Sequence, residues 1–314
     1  MVTDNFPKTL QEVIKHFSSD EMLCIEFFAS IRWIDGIAVC PNCESIETSF
    51  LSTRKVWKCK GCKKQFSVKV GTIFEDSPLG LDKWLLAMWL IVSAKNGISS
   101  YELGRALGFK QKTAWFVLHR IRLAMETGSF QKFSGEVECD ETFIGGKAKN
   151  MHKSKREKLI QGRGSVGKTA VMGLLERKGR VQAKVIGDVT RKTLHQEIKA
   201  NVEKGTNLFT DEWRAYRGLG DDYIHEVINH SVEYVRDNVH TNGIENFWAL
   251  LKRTIKGTYV SVEPFHLGRY LAEQTFRFNE RKGNDKDRFL KAVGMIAGKR
   301  LTYEELIGYC QTSI

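Results

Sequence analysis

Gly135-Glu-Val-Glu-Cys-Asp-Glu-Thr-Phe-Ile144 alternates acidic with less polar side chains, so that Glu136, Glu138 and Asp140 share one face of a strand and Val137 and Cys139 the other. Working outward from it, 169–177, 181–188, 206–210 and 223–229 read as strands, and 191–203, 212–218 and 242–257 as helices. Strands alternating with helices predict a mixed α/β domain over 133–283.

Two further carboxylates fit the acidic face. Asp211 ends the strand-like Asn207-Leu-Phe-Thr-Asp211, and ligand sites collect at the C-terminal ends of such strands. Glu245 follows 34 residues later, near the start of a helix that carries Trp248, Lys252 and Lys256 at helical spacing. Burying carboxylates together without cations would raise their pKa values sharply, and a bound divalent cation reverses that cost. A few hard oxygen ligands, completed by water and substrate phosphate, suit Mg²⁺ or Mn²⁺ rather than zinc. Asp140, Asp211 and Glu245 are therefore the expected catalytic and metal-binding residues of a two-cation phosphoryl-transfer site. Glu138 and Glu141 are alternative ligands beside Asp140, with Glu141 expected to be solvated because its side chain points away from Asp140.

Upstream, Cys40-Pro-Asn-Cys43 and Cys59-Lys-Gly-Cys62 are separated by fifteen residues, a spacing that brings four thiolates to one tetrahedral Zn²⁺. Four thiolates leave no position open for water, so this zinc is read as structural. The expected order is N-terminal helices over 1–35, the zinc ribbon over 36–72, a helix-turn-helix unit over 79–128, the α/β domain, and a helical extension over 284–314; the C-terminal stretch from Pro264 to Ile314, with an aromatic helix over Tyr270 to Phe278, is expected to pack against the core. Ser18 with Glu21 has the form of a capping box for the second N-terminal helix. In the helix-turn-helix, Leu103, Leu107, Ala114, Val117 and Ile121 supply the shared core. Lys110, Gln111, Lys112 and Thr113 open the second helix, where major-groove readers place their side chains.

The 314-residue chain carries a formal charge of +12, and its pI of about 9.3 favours a polyanionic partner, nucleic acid first among them. Seven cysteines, four of them in the two close pairs, do not form an even disulfide framework and predict a reducing compartment. Met1 to Leu10 lacks the apolar run of a signal peptide, and Trp84 to Val92 is far shorter than a membrane span. A soluble, intracellular protein with no membrane partner is expected.

With these motifs in order, together with Gly71-Thr-Ile-Phe-Glu75, Thr210-Asp-Glu-Trp213 and His240-Thr-Asn-Gly-Ile-Glu-Asn-Phe-Trp248 running on to Lys252-Arg253, the chain resembles the DDE transposases of bacterial insertion sequences. The resembling group carries an N-terminal zinc ribbon and is related to the Merlin transposons. The resemblance covers about the whole chain. It implies an RNase H-like core in which Asp140, Asp211 and Glu245 are the triad. It also implies cleavage of double-stranded DNA at transposon ends, joining of the 3′-hydroxyl to target DNA, and a homodimer or higher oligomer that holds two ends. Asn242, Lys252 and Arg253, with His240, are then contacts to DNA phosphates or to the third carboxylate. The setting implied is the cytoplasm of a bacterial cell, at the nucleoid, or the nucleus of a eukaryotic host.

Gly162-Arg-Gly-Ser-Val-Gly-Lys-Thr169 satisfies the P-loop expression, yet it follows a basic, apolar-poor loop over 147–163 and leads into a strand. A phosphate-binding loop follows a strand and opens a helix, so ATP is rejected here, and Arg163 and Lys168 are read as DNA contacts. Two other functions compete: a DNA-binding regulator with a degenerate core, and a metal-dependent nuclease that cuts without joining. Three convergent carboxylates argue against the first.

Overall fold

The computed structural model describes residues 6–126, 131–146, 152–154, 157, 167–228 and 240–308. Most of the basic loop, Arg163 and most of the P-loop look-alike lie outside the described residues. The chain divides into two compact units, Met1–Glu126 with Glu280–Ile314, and Thr127–Asn279.

In the first unit, α1 (Leu10–Phe17) and α2 (Glu21–Arg32) precede the ribbon. The capping box sits on α1, formed by Thr9 and Glu12, rather than on α2 as the sequence reading placed it. Asp20 caps α2 by accepting from the Met22 amide, so the aspartate one residue before the helix displaces Ser18 from that role. The ribbon strands β1 (Thr48–Leu51), β2 (Val56–Cys59) and β3 (Gln65–Phe66) form an antiparallel sheet.

Each cysteine pair lies on a tight turn whose next residue is left-handed, Glu44 at φ 59° and Lys63 at φ 63°. The two turns bring the four sulfurs within 4.8 Å of one another, with Cys40 Sγ 3.7 Å from Cys62 Sγ and Cys43 Sγ 3.6 Å from Cys59 Sγ. In the ribbon sheet, Trp57 and Phe66 pack against each other and against Trp33. Four thiolates at this separation form a closed structural zinc site.

Helix α3 (Leu81–Ser93) is apolar around most of its circumference, so it is buried at the centre of the unit, with α1, α2, α4 (Ser100–Leu107) and α5 (Gln111–Ala124) around it. Gly108, at φ 73°, ends α4 in the left-handed conformation, and a Cβ at Gly104 would meet the Phe109 carbonyl at 2.9 Å. These glycines permit the tight turn into α5.

The C-terminal stretch divides between the two units. Helix α9 (Asp285–Gly294) packs on α3, with Phe289 among Phe6, Phe27 and Trp89. The buried Arg120 of α5 donates to the carbonyls of Ile73, Glu75 and Leu301. Gly71-Thr-Ile-Phe-Glu75 is thus a structural joint, reinforced by the Gly298 amide donating to the Gly71 carbonyl at 2.9 Å. A short helix, α10 (Tyr303–Ile307), follows.

The second unit is a sheet of order β6-β5-β4-β7-β8 with helices on both faces. Its strands are β4 (Glu136–Ile144), β5 (Thr169–Glu176), β6 (Val181–Ile186), β7 (Asn207–Asp211) and β8 (Ile224–Ile228). β5 runs antiparallel to β4 and β6, whereas β7 runs parallel to β4 and β8. The α/β expectation holds with strand bounds within two residues, except that the predicted helix over 212–218 is a single 3₁₀ turn, Arg214–Tyr216.

One sheet face, with Val137, Cys139, Met172, Leu174 and Leu208, packs against Leu194 and Ile198 of α6 (Arg191–Asn201). The other, with Ile144, Val171 and Leu175, packs against Ile244, Phe247, Trp248 and Leu251 of α7 (Asn242–Thr254) and against Leu267, Leu271 and Phe278 of α8 (Leu267–Asn279). Helix α7 continues as a π-turn over Ile255–Tyr259, where the sequence reading carried an α-helix to 257. Among the described residues no helix is long and apolar enough to cross a membrane.

Because the ribbon has so little core of its own, its order is expected to depend on zinc. The Cys40→Ser, Cys59→Ser double variant should contain no zinc by metal analysis and lose the near-ultraviolet dichroism of the ribbon tryptophans. One zinc per chain in that variant would contradict the assignment.

Candidate active site

Side chains alternate along a strand, so the packing of Val137, Cys139 and Leu208 toward α6 turns Glu138, Asp140, Phe209 and Asp211 toward α7. The β4/β7 register ends at Glu138 opposite Phe209, and Asp140 and Asp211 each lie two residues further along parallel neighbours. The β4/β7 pairing stops short of both aspartates, on the strand where the sheet changes from antiparallel to parallel pairing. Asp211 accepts a hydrogen bond from the Trp213 amide at 3.0 Å.

Two attachments hold α7 over β4. The Trp248 indole donates to Asp140 Oδ2 at 2.9 Å. One turn earlier, the Ile244 amide donates to Oε2 of the buried Glu138 at 2.9 Å. Glycines make both approaches possible. A Cβ on Gly173, the residue paired with Asp140, would stand 2.6 Å from Trp248 Cζ2 and 2.8 Å from Ile244 Cδ1. A Cβ on Gly243 would stand 2.8 Å from Glu138 Oε2.

Glu138 is held by the Arg177 guanidinium as well as by the helix. Arg177 donates Nε to Glu138 Oε1 at 3.1 Å and Nη2 to the His240 carbonyl at 2.9 Å, and its guanidinium lies 3.9 Å from the Phe209 ring centroid. His240 Nδ1 lies 3.4 Å from Glu138 Oε1. This set leaves little of the Glu138 carboxylate for a cation, so its reading as an alternative ligand gives way to one as an anchor.

Glu245 lies in the first turn of α7, exposed and three residues before the buried Trp248, and its carboxylate accepts from the Thr241 hydroxyl at 2.9 Å. Among the described residues, the four cysteines alone bring three or more ligand atoms within 4.8 Å of one another. Asp140 and Asp211 share a sheet face and Glu245 is exposed on α7 above it, and the three do not close to that degree.

Burial first, then the charges of Glu141 and Asp211, push the Asp140 carboxyl up to about 7. Glu141 is half-buried rather than solvated, because the Tyr216 hydroxyl donates to it. Burial raises its carboxyl, opposed by that hydrogen bond and aided by the Asp211 charge. These crowded carboxylates with hard oxygen donors have the chemistry of a Mg²⁺ or Mn²⁺ site, since a divalent cation would offset the repulsion among them.

Of the other expected contacts, Lys110 and Lys112 are exposed at the start of α5, Thr113 is half-buried, and Gln111 is tied to Ser100 of α4 by its amide at 2.9 Å. Asn242, Lys252 and Arg253 lie exposed on α7, and Lys168 is exposed where β5 begins. Sequence reasoning missed the Trp248–Asp140 bond and the anchoring of Glu138. Gly173, a glycine inside an apolar strand, was the available signal of a close approach.

Two families match by sequence, the ISXO2-like transposase domain over residues 132–279 and the transposase zinc-ribbon domain over residues 19–65. The chain is 26% identical over 253 residues to an uncharacterised protein in the transposable element ISH50 of Halobacterium salinarum, covering 76% of this chain and 84% of that protein. It is 30% identical over 117 residues to an uncharacterised transposase-like protein of Haemophilus influenzae, covering 37% of this chain and 94% of that protein.

Two outcomes follow from this geometry. A Gly173→Ala substitution should displace Trp248 and cost about 1–3 kcal/mol, the usual range for overpacking; an unchanged unfolding midpoint and tryptophan emission would contradict the close approach. Asp140 keeps its proton to about pH 7 when folded, whereas the unfolded chain releases it near the usual 3.8, so native stability falls as pH rises through that interval. In chelator at pH 8, Asp140→Asn should therefore be more stable than the parent, by about 1–3 kcal/mol after solvent screening. Below pH 4 the difference should vanish, and equal stability at both pH values would contradict the burial of this charge.

Proposed function

The chain belongs to the family of transposases with an ISXO2-like domain, and we propose that it cleaves transposon-end DNA and joins the freed 3′-hydroxyl to target DNA, with Asp140, Asp211 and Glu245 at the centre. The observation that carries this reading is the placement of Asp140, midway along β4, and Asp211, at the end of β7, on one sheet face beneath the helix that bears Glu245, with Trp248 of that helix bound to Asp140. The domain is of the RNase H-like kind in this reading, and the strand order supports it.

Asp140, Asp211 and Glu245 would hold Mg²⁺ or Mn²⁺. Bound there, the cations would supply charge neutralisation at the scissile phosphate and favour ionisation of the attacking oxygen. The chain itself contributes orientation. Trp248 fixes one oxygen of Asp140, the Trp213 amide fixes one oxygen of Asp211, and Thr241 holds Glu245 near the helix start. In the first step water attacks the phosphorus and the 3′-oxygen leaves as the free 3′-hydroxyl; in the second that 3′-hydroxyl attacks a target phosphodiester in line, and the target strand's own 3′-oxygen leaves, taking up the proton that the attacking hydroxyl gives up. No covalent enzyme intermediate is required.

Double-stranded DNA is the partner in this reading. Lys252, Arg253 and Asn242 flank the site along α7 and Lys168 stands at the end of β4, where they would meet phosphates, with Arg163 nearby in sequence. Lys110 and Lys112 would approach the major groove from α5 as the reading part of a helix-turn-helix, with Thr113 beside them. Gln111 would have to release Ser100 to reach a base. Two DNA ends call for a homodimer or larger assembly.

The test is incubation with DNA from the flanks of the gene in Mg²⁺ or Mn²⁺. Joined products are expected from the wild type, and Asp140→Asn, Asp211→Asn and Glu245→Gln should each lower cleavage by at least about 10³-fold while retaining DNA affinity. Turnover by the Asp211 variant would overturn the assignment, cleavage without joining would make the protein a nuclease, and binding alone would favour a regulator. Affinity should also fall steeply between about 50 and 200 mM salt, as counterion release requires; a flat profile would exclude a phosphate-dominated interface.

A further inference from the structure

Glu138 lies on the strand face of the candidate site, yet its bonds run to the polypeptide. Its side chain is 1% exposed, and both oxygens are engaged, Oε2 by the Ile244 amide at 2.9 Å and Oε1 by Arg177 at 3.1 Å. The Ile244 amide is one of the first N–H groups of α7, which have no partner inside the helix. At Thr241, the residue preceding α7, no side chain caps the helix. The missing cap is supplied instead by a carboxylate from a strand more than a hundred residues earlier, and a negative charge there also favours the positive end of the helix. Arg177 then ties the same carboxylate to the His240 carbonyl, just ahead of the helix.

The neighbouring residues are built around this contact. Gly243 has no Cβ where one would stand 2.8 Å from Glu138 Oε2. Glu245 immediately follows Ile244, its amide donates to the Thr241 carbonyl at 3.0 Å, and its carboxylate accepts from the Thr241 hydroxyl. Glu245 thus belongs to the first turn of α7, and Glu138 of β4 grips that turn by a polar bond.

We propose that Glu138 is a positioning residue: by anchoring the first turn of α7 to β4, it sets where the Glu245 carboxylate stands relative to Asp140 and Asp211. This rests on the reading of those three as the metal-binding site. Trp248 alone cannot do the same, since it fixes the second turn and leaves the helix free to tilt about that point. A surplus ligand would behave differently, because it would bind the cation itself and leave the helix where it is.

The test measures Mn²⁺ binding by the spin-resonance signal of the free ion, and backbone hydrogen exchange of the peptide over 241–248 without metal. It compares the full chain with Glu138→Ala, Glu138→Gln, Asp140→Asn, and Leu251→Ala as a control for destabilisation in the same layer. Glu138→Ala should weaken Mn²⁺ binding at least about 10-fold and speed exchange of the Ile244 and Glu245 amides at least about 10-fold. Glu138→Gln keeps an acceptor for Ile244 and should recover most of both. Leu251→Ala should leave Mn²⁺ affinity within about two-fold.

Wild-type Mn²⁺ affinity and exchange in folded Glu138→Ala would overturn the proposal. So would loss of Mn²⁺ by Glu138→Gln as complete as by Asp140→Asn with exchange unchanged, which would make Glu138 a ligand. If the wild type itself fails to bind Mn²⁺, or Asp140→Asn does not weaken it, the metal-site reading fails and the proposal with it, even where the exchange result retains the anchor. If Glu138→Ala does not fold, Glu138→Gln decides: exchange in α7 at the wild-type rate with Mn²⁺ binding unimpaired supports the anchor, and faster exchange spread over the whole second unit overturns it.

Discussion

The attachment of α7 to β4 through two carboxylates two residues apart governs the arrangement of the second unit. Trp248 bonds to Asp140 and the Ile244 amide to Glu138, so a single strand face fixes both the first and the second turn of the helix. Hydrophobic packing of Ile244, Phe247 and Leu251 presses α7 to the sheet, but it is nearly indifferent to small slides and rotations. The polar bonds remove that freedom. Charged hydrogen bonds of this kind contribute about 1.5–3 kcal/mol each when made, and a buried carboxylate left without its partners would cost more.

The same strand carries opposing demands. Glu138 is neutralised by Arg177, whereas among the described residues no ion pair reaches Asp140, and burial together with the charges of Glu141 and Asp211 pushes its carboxyl up to about 7. Two carboxylates on one face thus have different environments and different work. Glu138 holds structure together, and Asp140 carries unfavourable charge of the kind that functional sites retain.

Much of this fold was legible in the sequence because it follows short-range rules. Period-two alternation located β4, short strand-like runs located β5 through β8, and the two Cys-x-x-Cys pairs predicted the ribbon, whose turns close with Glu44 and Lys63 in the left-handed region. What was not legible depends on partners distant along the chain. Glu141 reads as solvated from its strand parity, but Tyr216 lies beneath it, 75 residues away. Glu138 reads as one more acidic ligand, since nothing local reveals that its partners are Arg177 and Ile244. The division of the C-terminal stretch was hidden for the same reason, Phe289 finding its aromatic neighbours near the N-terminus.

The central claim is that Asp140, Asp211 and Glu245 form one cation site. Anomalous diffraction from crystals soaked in Mn²⁺ tests it most directly. The account predicts a peak between Asp140 and Asp211 with a Glu245 oxygen at about 2.0–2.3 Å from the ion or from its neighbour, and Glu138 still bonded to the α7 amide. A peak coordinated by Glu138 or Glu141 without Glu245, or no peak at this end of the sheet, would contradict it.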